Sequence, residues 1–181
     1  MLKSYLEVDL KEISNNIEKI QNYVGNKVNV APVIKADAYG LGANKLKNIL
    51  EKNNINIVVV ATVEEAINLR KEGFKCKILT LNELLPYEAK EVVEYDLTPG
   101  ISDLEVAKKL DKIAKNTNKK VSVHIEVDTG MGRVGLAPDM ILEFVQNISK
   151  LEKIELEGIY THFASADTNE TYTAMQIEKF N

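Results

Sequence analysis

The sequence predicts an α/β chain of parallel βα units, and within that class a TIM-type (β/α)8 barrel cut to about six units. Short apolar, β-branched runs alternate with amphipathic helical stretches along the whole chain, which is the pattern of βα repeats. The runs are nearly continuous, as in strands covered by helices on both faces. The phosphate fingerprints of doubly wound sheets, GxGxxG after a first strand or GxxxxGK followed by Ser or Thr, are absent. Pattern alone allows either sheet, and that absence turns the choice toward a barrel.

The elements follow in order. Asp9 suits the cap of a first helix whose stripe is Leu10, Ile13, Ile17, Ile20 and Val24. Strands are predicted over Val28–Ile34, Ile55–Ala61, Lys77–Leu81, Leu97–Ile101, Val121–Asp128 and Ile154–Phe163. Thr62 with Glu65, and Ser102 with Glu105, have the spacing of a capping box, in which hydroxyl and carboxylate satisfy backbone donors reciprocally. Leu104, Ala107, Leu110, Ile113 and Ala114 mark the buried face of the helix behind the second box. Pro138 fits a first helical turn, with Ile141, Leu142, Val145 and Ile148 as the stripe behind it. Six strands fall short of the eight that close a barrel, and the last predicted helix, Thr173–Asn181, reaches the final residue without a cap, a glycine or a tail. Residues 1–181 are therefore expected to form one incomplete barrel domain, with the outer edges of the first and sixth strands unpaired.

Composition narrows the function. Hydrophobic residues make up 45% and charged residues 28%, ordinary for a globular protein, so disorder is excluded. The formal net charge is −4, and Lys and Arg are scattered without a basic stripe, so nucleic acid is not an expected partner. Cys76 is the only cysteine, which leaves no intrachain disulfide and argues against a metal site. No apolar run approaches a membrane span, and the start, MLKSYLEVDL, lacks the apolar core of a signal peptide. A cytoplasmic protein is expected.

Three stretches carry chemistry. In PVIKADAYGLG, Lys35 ends a strand and enters a loop with Tyr39, Gly40 and Gly42. Side chains at the C-terminal ends of barrel strands face the site, so this lysine stands where function is expected, although a solvated lysine at a strand–loop junction is the competing reading. In VSVHIEVDTGMGRVGL, Val121, Val123, Ile125 and Val127 share one face, and Ser122, His124, Glu126 and Asp128 the other. Four polar residues on a strand between helices must be wet or paired. The loop after it brackets Arg133, suited to hold an oxyanion in a fixed fork, with three glycines. In EGIYTHFASAD, His162 ends the sixth strand.

Together with YLEVDLKEISNNI at the start, VIKADAYGLG, VDTGMGRVG and THFASAD resemble, in order, segments of the fold-type III alanine racemases, which depend on pyridoxal 5'-phosphate. The resemblance covers the chain as the N-terminal part of such an enzyme and implies that the family's C-terminal β domain is absent. It implies that Lys35 carries pyridoxal phosphate as a Schiff base and serves as one of two catalytic bases. A neutral lysine amine is the nucleophile that step needs. Tyr39 resembles the tyrosine on the cofactor phosphate, and Arg133 the arginine that bonds the cofactor's phenolic oxygen and helps to place substrate. His162 resembles the histidine that supports a second arginine beneath the pyridine nitrogen. In the family the opposite base is a tyrosine of the C-terminal domain, contributed across a homodimer interface, and no residue here matches it. The chain by itself is expected to be inactive, while the full enzyme would be a cytoplasmic homodimer making D-alanine for peptidoglycan.

The sequence departs from the family at Glu126, where many relatives carry a carbamylated lysine that braces the arginine. A glutamate keeps the negative sign, and an ion pair at about 4 Å is worth on the order of 4 kcal/mol at an effective dielectric near 20. Its reach is roughly 3–4 Å shorter at about 1.3–1.5 Å per bond, so Glu126 is expected to point toward Arg133 with a water, an ion or a backbone shift between them. A racemase preferring another amino acid such as serine, a pyridoxal phosphate carrier, a fold-type III decarboxylase and a degenerate regulator are the alternatives.

Overall fold

The computed structural model describes residues 4–181, so the first three residues of the opening stretch lie outside it. The strands are β1 (Ile57–Val60), β2 (Lys77–Thr80), β3 (Thr98–Ile101), β4 (Val121–Glu126) and β5 (Ile154–Tyr160), in one sheet ordered β1-β2-β3-β4-β5. The helices are α1 (Leu10–Val24), α2 (Ala43–Lys52), α3 (Val63–Lys71), α4 (Ala89–Glu94), α5 (Leu104–Thr117), α6 (Ile141–Ile148) and α7 (Glu170–Phe180). Sequential strand order with a helix between neighbours is the wall of a barrel, not a doubly wound sheet, whose order reverses. The β3–β4 and β4–β5 pairings are parallel.

The predicted strand over Val28–Ile34 shrinks to one parallel bridge between Val33 and Val59. Ile34 N–H donates to the Val59 carbonyl at 2.8 Å and Val59 N–H to the Pro32 carbonyl at 2.9 Å. Pro32 has no N–H to extend the ladder, and Val28 is exposed, so β-propensity there has no packing behind it.

The chain divides into two compact units, Met1–Leu79 and Thr80–Asn181. In the first, Val58, Val60, Ala66 and Leu69 are buried where α3 covers β1. The Thr62–Glu65 capping box forms as expected, with Thr62 Oγ1 accepting from Glu65 N–H at 3.2 Å. Asp9 caps α1 through the N–H groups of Lys11 and Glu12. The α1 stripe is a different matter. Ile17 is buried, but Leu10, Ile20 and Val24 are exposed, because the helix leans on α2 through polar groups. Asn53 Nδ2 donates to Ser14 Oγ at 2.9 Å, and Gln21 Nε2 to the Asn53 carbonyl at 2.9 Å.

In the second unit the cap of α5 is Asp103, not Ser102. Asp103 accepts from Glu105 N–H, while Ser102 Oγ donates to Glu83 Oε2 at 2.6 Å. The buried face of α5 is Val106, Ala107, Leu110, Asp111 and Ala114, with Leu104 and Ile113 of the expected stripe half-buried. Asp111 is usable in that face because Lys153 N–H donates to it at 2.7 Å and Lys115 pairs with it at 2.9 Å. These partners outweigh burial and lower its pKa. Pro138 opens a 3-10 turn ahead of α6, as expected, but α6 buries Phe144 and Ile148 and leaves Leu142 exposed.

Candidate active site

Lys35 and Tyr39 belong to the first unit, Glu126, Arg133 and His162 to the second. Lys35 is half-buried and lies two residues beyond the Val33–Val59 bridge, which is all that remains of the strand it was expected to end. The segment after it is a turn wound left-handed: Ala36, Asp37, Ala38 and Tyr39 have φ of 51°, 54°, 54° and 56°. L-residues pay roughly 1–2 kcal/mol each for this conformation, so the turn is strained and needs hydrogen bonds to hold it. Gly40 N–H donates to the Ala36 carbonyl at 3.0 Å, and Gly42 N–H to the Asp37 carbonyl at 2.9 Å. Asp37 Oδ1 accepts from Ala43 N–H at 2.7 Å, closing the turn onto the start of α2. Ala38 is buried, Tyr39 exposed, and the space beside Gly40 is open.

On the polar face of β4, His124 and Glu126 each meet a polar side chain of β5. His124 Nε2 lies 3.7 Å from Glu157 Oε2. Glu126 Oε2 accepts from the Tyr160 hydroxyl at 3.1 Å. Burial pushes the Glu126 carboxyl up, against the pull of that hydroxyl and of the Arg133 charge; the Asp128 and Glu83 carboxylates add to the rise. Burial beside Glu126 likewise raises the Tyr160 phenol, which stays a donor. Arg133 is exposed and acts on Glu126 through space; the carboxylate accepts its hydrogen bond from Tyr160, a partner that sequence reasoning missed. Two glycines make the room. A Cβ on Gly100 would stand 2.5 Å from Tyr160 Oη, and one on Gly135, whose φ is +99°, would stand 2.8 Å from the Glu126 carbonyl oxygen. Leu81, Glu83, Ser102 and Val134 complete this small cavity.

Asp128 organises the loop that carries Arg133. Its carboxylate accepts from Gly132 N–H at 2.9 Å and from Gly130 N–H at 3.0 Å, and these donors, Gly132 first, hold its pKa below the usual value. His162 is exposed, and its carbonyl accepts from Gln176 Nε2 at 3.1 Å. Gln176, fully buried in α7, also accepts from Ala164 N–H at 2.9 Å and donates to Thr129 Oγ1 at 3.0 Å. It thus ties the loop of Arg133 to the strand end of His162. Its signal in the sequence was faint: with Tyr172 and Phe180 at i−4 and i+4, a glutamine occupies an inward stripe.

The donor set fits pyridoxal phosphate chemically. Lys35 offers an amine for an aldehyde, Tyr39 a phenol for a phosphate oxygen and Arg133 a guanidinium for a phenolate, and the open space beside Gly40 leaves the turn unobstructed. Among the described residues no group of His, Cys, Asp and Glu is placed to hold a metal ion, and no helix is long and apolar enough to cross a membrane.

Residues 8–181 match the family described as alanine racemase, N-terminal domain. The chain is 42% identical over 178 residues to an alanine racemase of Methanococcus maripaludis, covering 97% of this chain and 48% of that protein. It is 41% identical to alanine racemase 2 of Caldanaerobacter subterraneus subsp. tengcongensis, covering 97% and 46%. Among solved structures, alanine racemase of Clostridium difficile 630 superposes with a TM-score of 0.88 at 35% identity, over 94% of this chain and 44% of that one. A histidine racemase of Leuconostoc mesenteroides subsp. sake superposes with a TM-score of 0.86 at 25% identity, over 94% and 46%. The chain spans about half the length of these relatives. With the family match running through nearly every described residue, from the cap of α1 to the end of α7, this chain belongs to the alanine racemase family, whose N-terminal domain it carries.

Proposed function

We propose that this chain is the cofactor-holding barrel portion of a pyridoxal-phosphate-dependent racemase that interconverts L-alanine and D-alanine. The observation that supports this best is Lys35 itself, half-buried just beyond the Val33–Val59 bridge and leading a strained turn inside the matched domain. Strain of this kind clusters at active sites and ligand clamps.

Pyridoxal phosphate, when bound, supplies the electron sink that makes the α-hydrogen of an amino acid removable. The chain's residues do the rest. Lys35 holds the cofactor through its amine and then takes or returns a proton on one face of the α-carbon. Tyr39 donates to the phosphate, and Arg133 bonds the phenolic oxygen and orients the substrate carboxylate. His162, with its backbone fixed by Gln176, supports the ring-nitrogen side. Glu126 is a buried carboxyl beside the Arg133 loop that needs no carbamate. Inversion needs a proton on the opposite face as well, and we assign that donor to residues outside this chain, in a second domain of a cytoplasmic homodimer whose D-alanine serves cell-wall synthesis.

Borohydride reduction in the presence of pyridoxal phosphate, followed by peptide mapping, should place the label on Lys35, and Lys35→Ala should abolish it. D-alanine formation by the whole natural chain then tests the substrate, and these 181 residues alone should give little or none. The histidine racemase among the structural neighbours favours one second reading, a racemase for another amino acid, because the same barrel serves more than one side chain. Turnover of a panel of L-amino acids separates the two.

A further inference from the structure

The turn that begins at Lys35 is held mostly by itself. Ala38 N–H donates to the Ile34 carbonyl at 3.0 Å, Gly40 N–H to Ala36, Gly42 N–H to Asp37, and Asp37 accepts from Ala43 N–H. Bonds so local let a strained segment swing as one piece. Among the described residues, the hydrogen bond that ties residues 35–39 to a distant part of the chain is from Ala36 N–H to Glu65 Oε1, at 2.6 Å across 29 positions.

That bond is well placed to aim a lysine. The Ala36 N–H shares its peptide plane with the Lys35 carbonyl, so fixing the one fixes the backbone that presents the Lys35 side chain. Glu65 is itself anchored, since its other oxygen accepts from Ala61 N–H at 2.8 Å and Thr62 N–H at 3.2 Å, at the junction of β1 and α3. Both carboxylate oxygens are in use. An ionised carboxylate can do this, whereas the amide of glutamine has one acceptor oxygen and would turn a donor toward one set of N–H groups.

We propose that Glu65 is a positioning residue for Lys35: beyond capping α3, its carboxylate clamps the left-handed turn to the β1–α3 junction and so aims the Lys35 amine. This rests on the reading of Lys35 as the lysine that holds the cofactor.

The competing explanation is that Glu65 only caps a helix, and Thr62 separates the two. Thr62→Ala removes the Thr62 Oγ1 bond to Glu65 N–H, half of the capping box, and leaves the carboxylate and its bond to Ala36 in place. In the whole natural chain, Glu65→Gln should slow the appearance of the pyridoxal phosphate imine absorbance and of borohydride-trapped Lys35 roughly tenfold or more, the scale of a lost charge-assisted hydrogen bond. Hydrogen exchange at the Ala36 amide should quicken by a similar factor, with no cofactor present. Thr62→Ala should lower the unfolding midpoint and leave both readouts within about twofold of wild type. Unchanged capture and unchanged exchange in Glu65→Gln would overturn the clamp, as would equal effects of the two variants. If the wild-type chain captures no cofactor on Lys35, the reading of Lys35 falls instead, and the exchange at Ala36 still decides the clamp.

Discussion

Gln176 and Thr129, 47 positions apart in sequence, are joined by a hydrogen bond of 3.0 Å from Nε2 to Oγ1 in the interior of the second unit. The same amide serves Ala164 N–H and the His162 carbonyl, so one side chain satisfies three groups from two site loops. Gln176→Ala should therefore cost about 2–4 kcal/mol, because it leaves buried polar groups unpaired. Urea unfolding measures the loss. Hydrogen exchange should rise at residues 129–133 and 161–164 together, and a rise in one loop alone would contradict a shared hub.

Gly100 and Tyr160 form a mutually exclusive pair. A Cβ at 100 would press on Tyr160 Oη at 2.5 Å and, less severely, stand 3.2 Å from the Thr80 carbonyl oxygen, so the hydroxyl is the main obstacle. Gly100→Ala should destabilise by about 1–3 kcal/mol, and much less when Tyr160 is already phenylalanine. A double-mutant cycle reads this directly, and strict additivity would disprove it.

Glu126 makes the stability depend on pH. Its pKa in the folded chain lies above the ordinary 4.5, so the protonated form is the one that folding favours. Its contribution is complete below pH 4.5 and is lost as pH rises through the folded value. Glu126→Gln removes this titration, and the stability of wild type relative to the variant should fall as pH rises above 4.5 and through the folded value. Denaturant midpoints of both proteins across that range check the slope.

Asp128 has the opposite sign. Its folded pKa is depressed below 3.8 by the N–H groups of Gly132, Gly130 and Met131, so its contribution is present above pH 3.8 and lost as pH falls through the folded value. Asp128→Asn should cost about 1 kcal/mol near neutral pH, allowing for solvent screening at this partly open position. Faster amide exchange at Gly130 and Gly132 should accompany it.

Much of this was legible in the sequence because it is local. The alternating parity over Val121–Asp128, of which β4 takes Val121–Glu126, the caps at Asp9 and Thr62, and the polar face of β4 follow from period and spacing. What escaped depends on partners far along the chain. Tyr160 reads as a strand residue, yet its hydroxyl donates to Glu126, because Gly100 opens the room for it. Glu65 was read as half of a capping box, and nothing in the spacing reveals the reach of its second oxygen to Ala36. The α1 stripe is the reverse case: periodicity marked an apolar face, and the described residues cover only Ile17 of it fully.

The left-handed turn carries one last consequence. Over Ala36–Tyr39 the handedness of the chain's own amino acids works against the shape it adopts. An enantiomeric residue would be at ease there. A D-alanine introduced at exposed position 36 by chemical ligation would stabilise the turn by roughly 1–2 kcal/mol, with the side-chain composition unchanged.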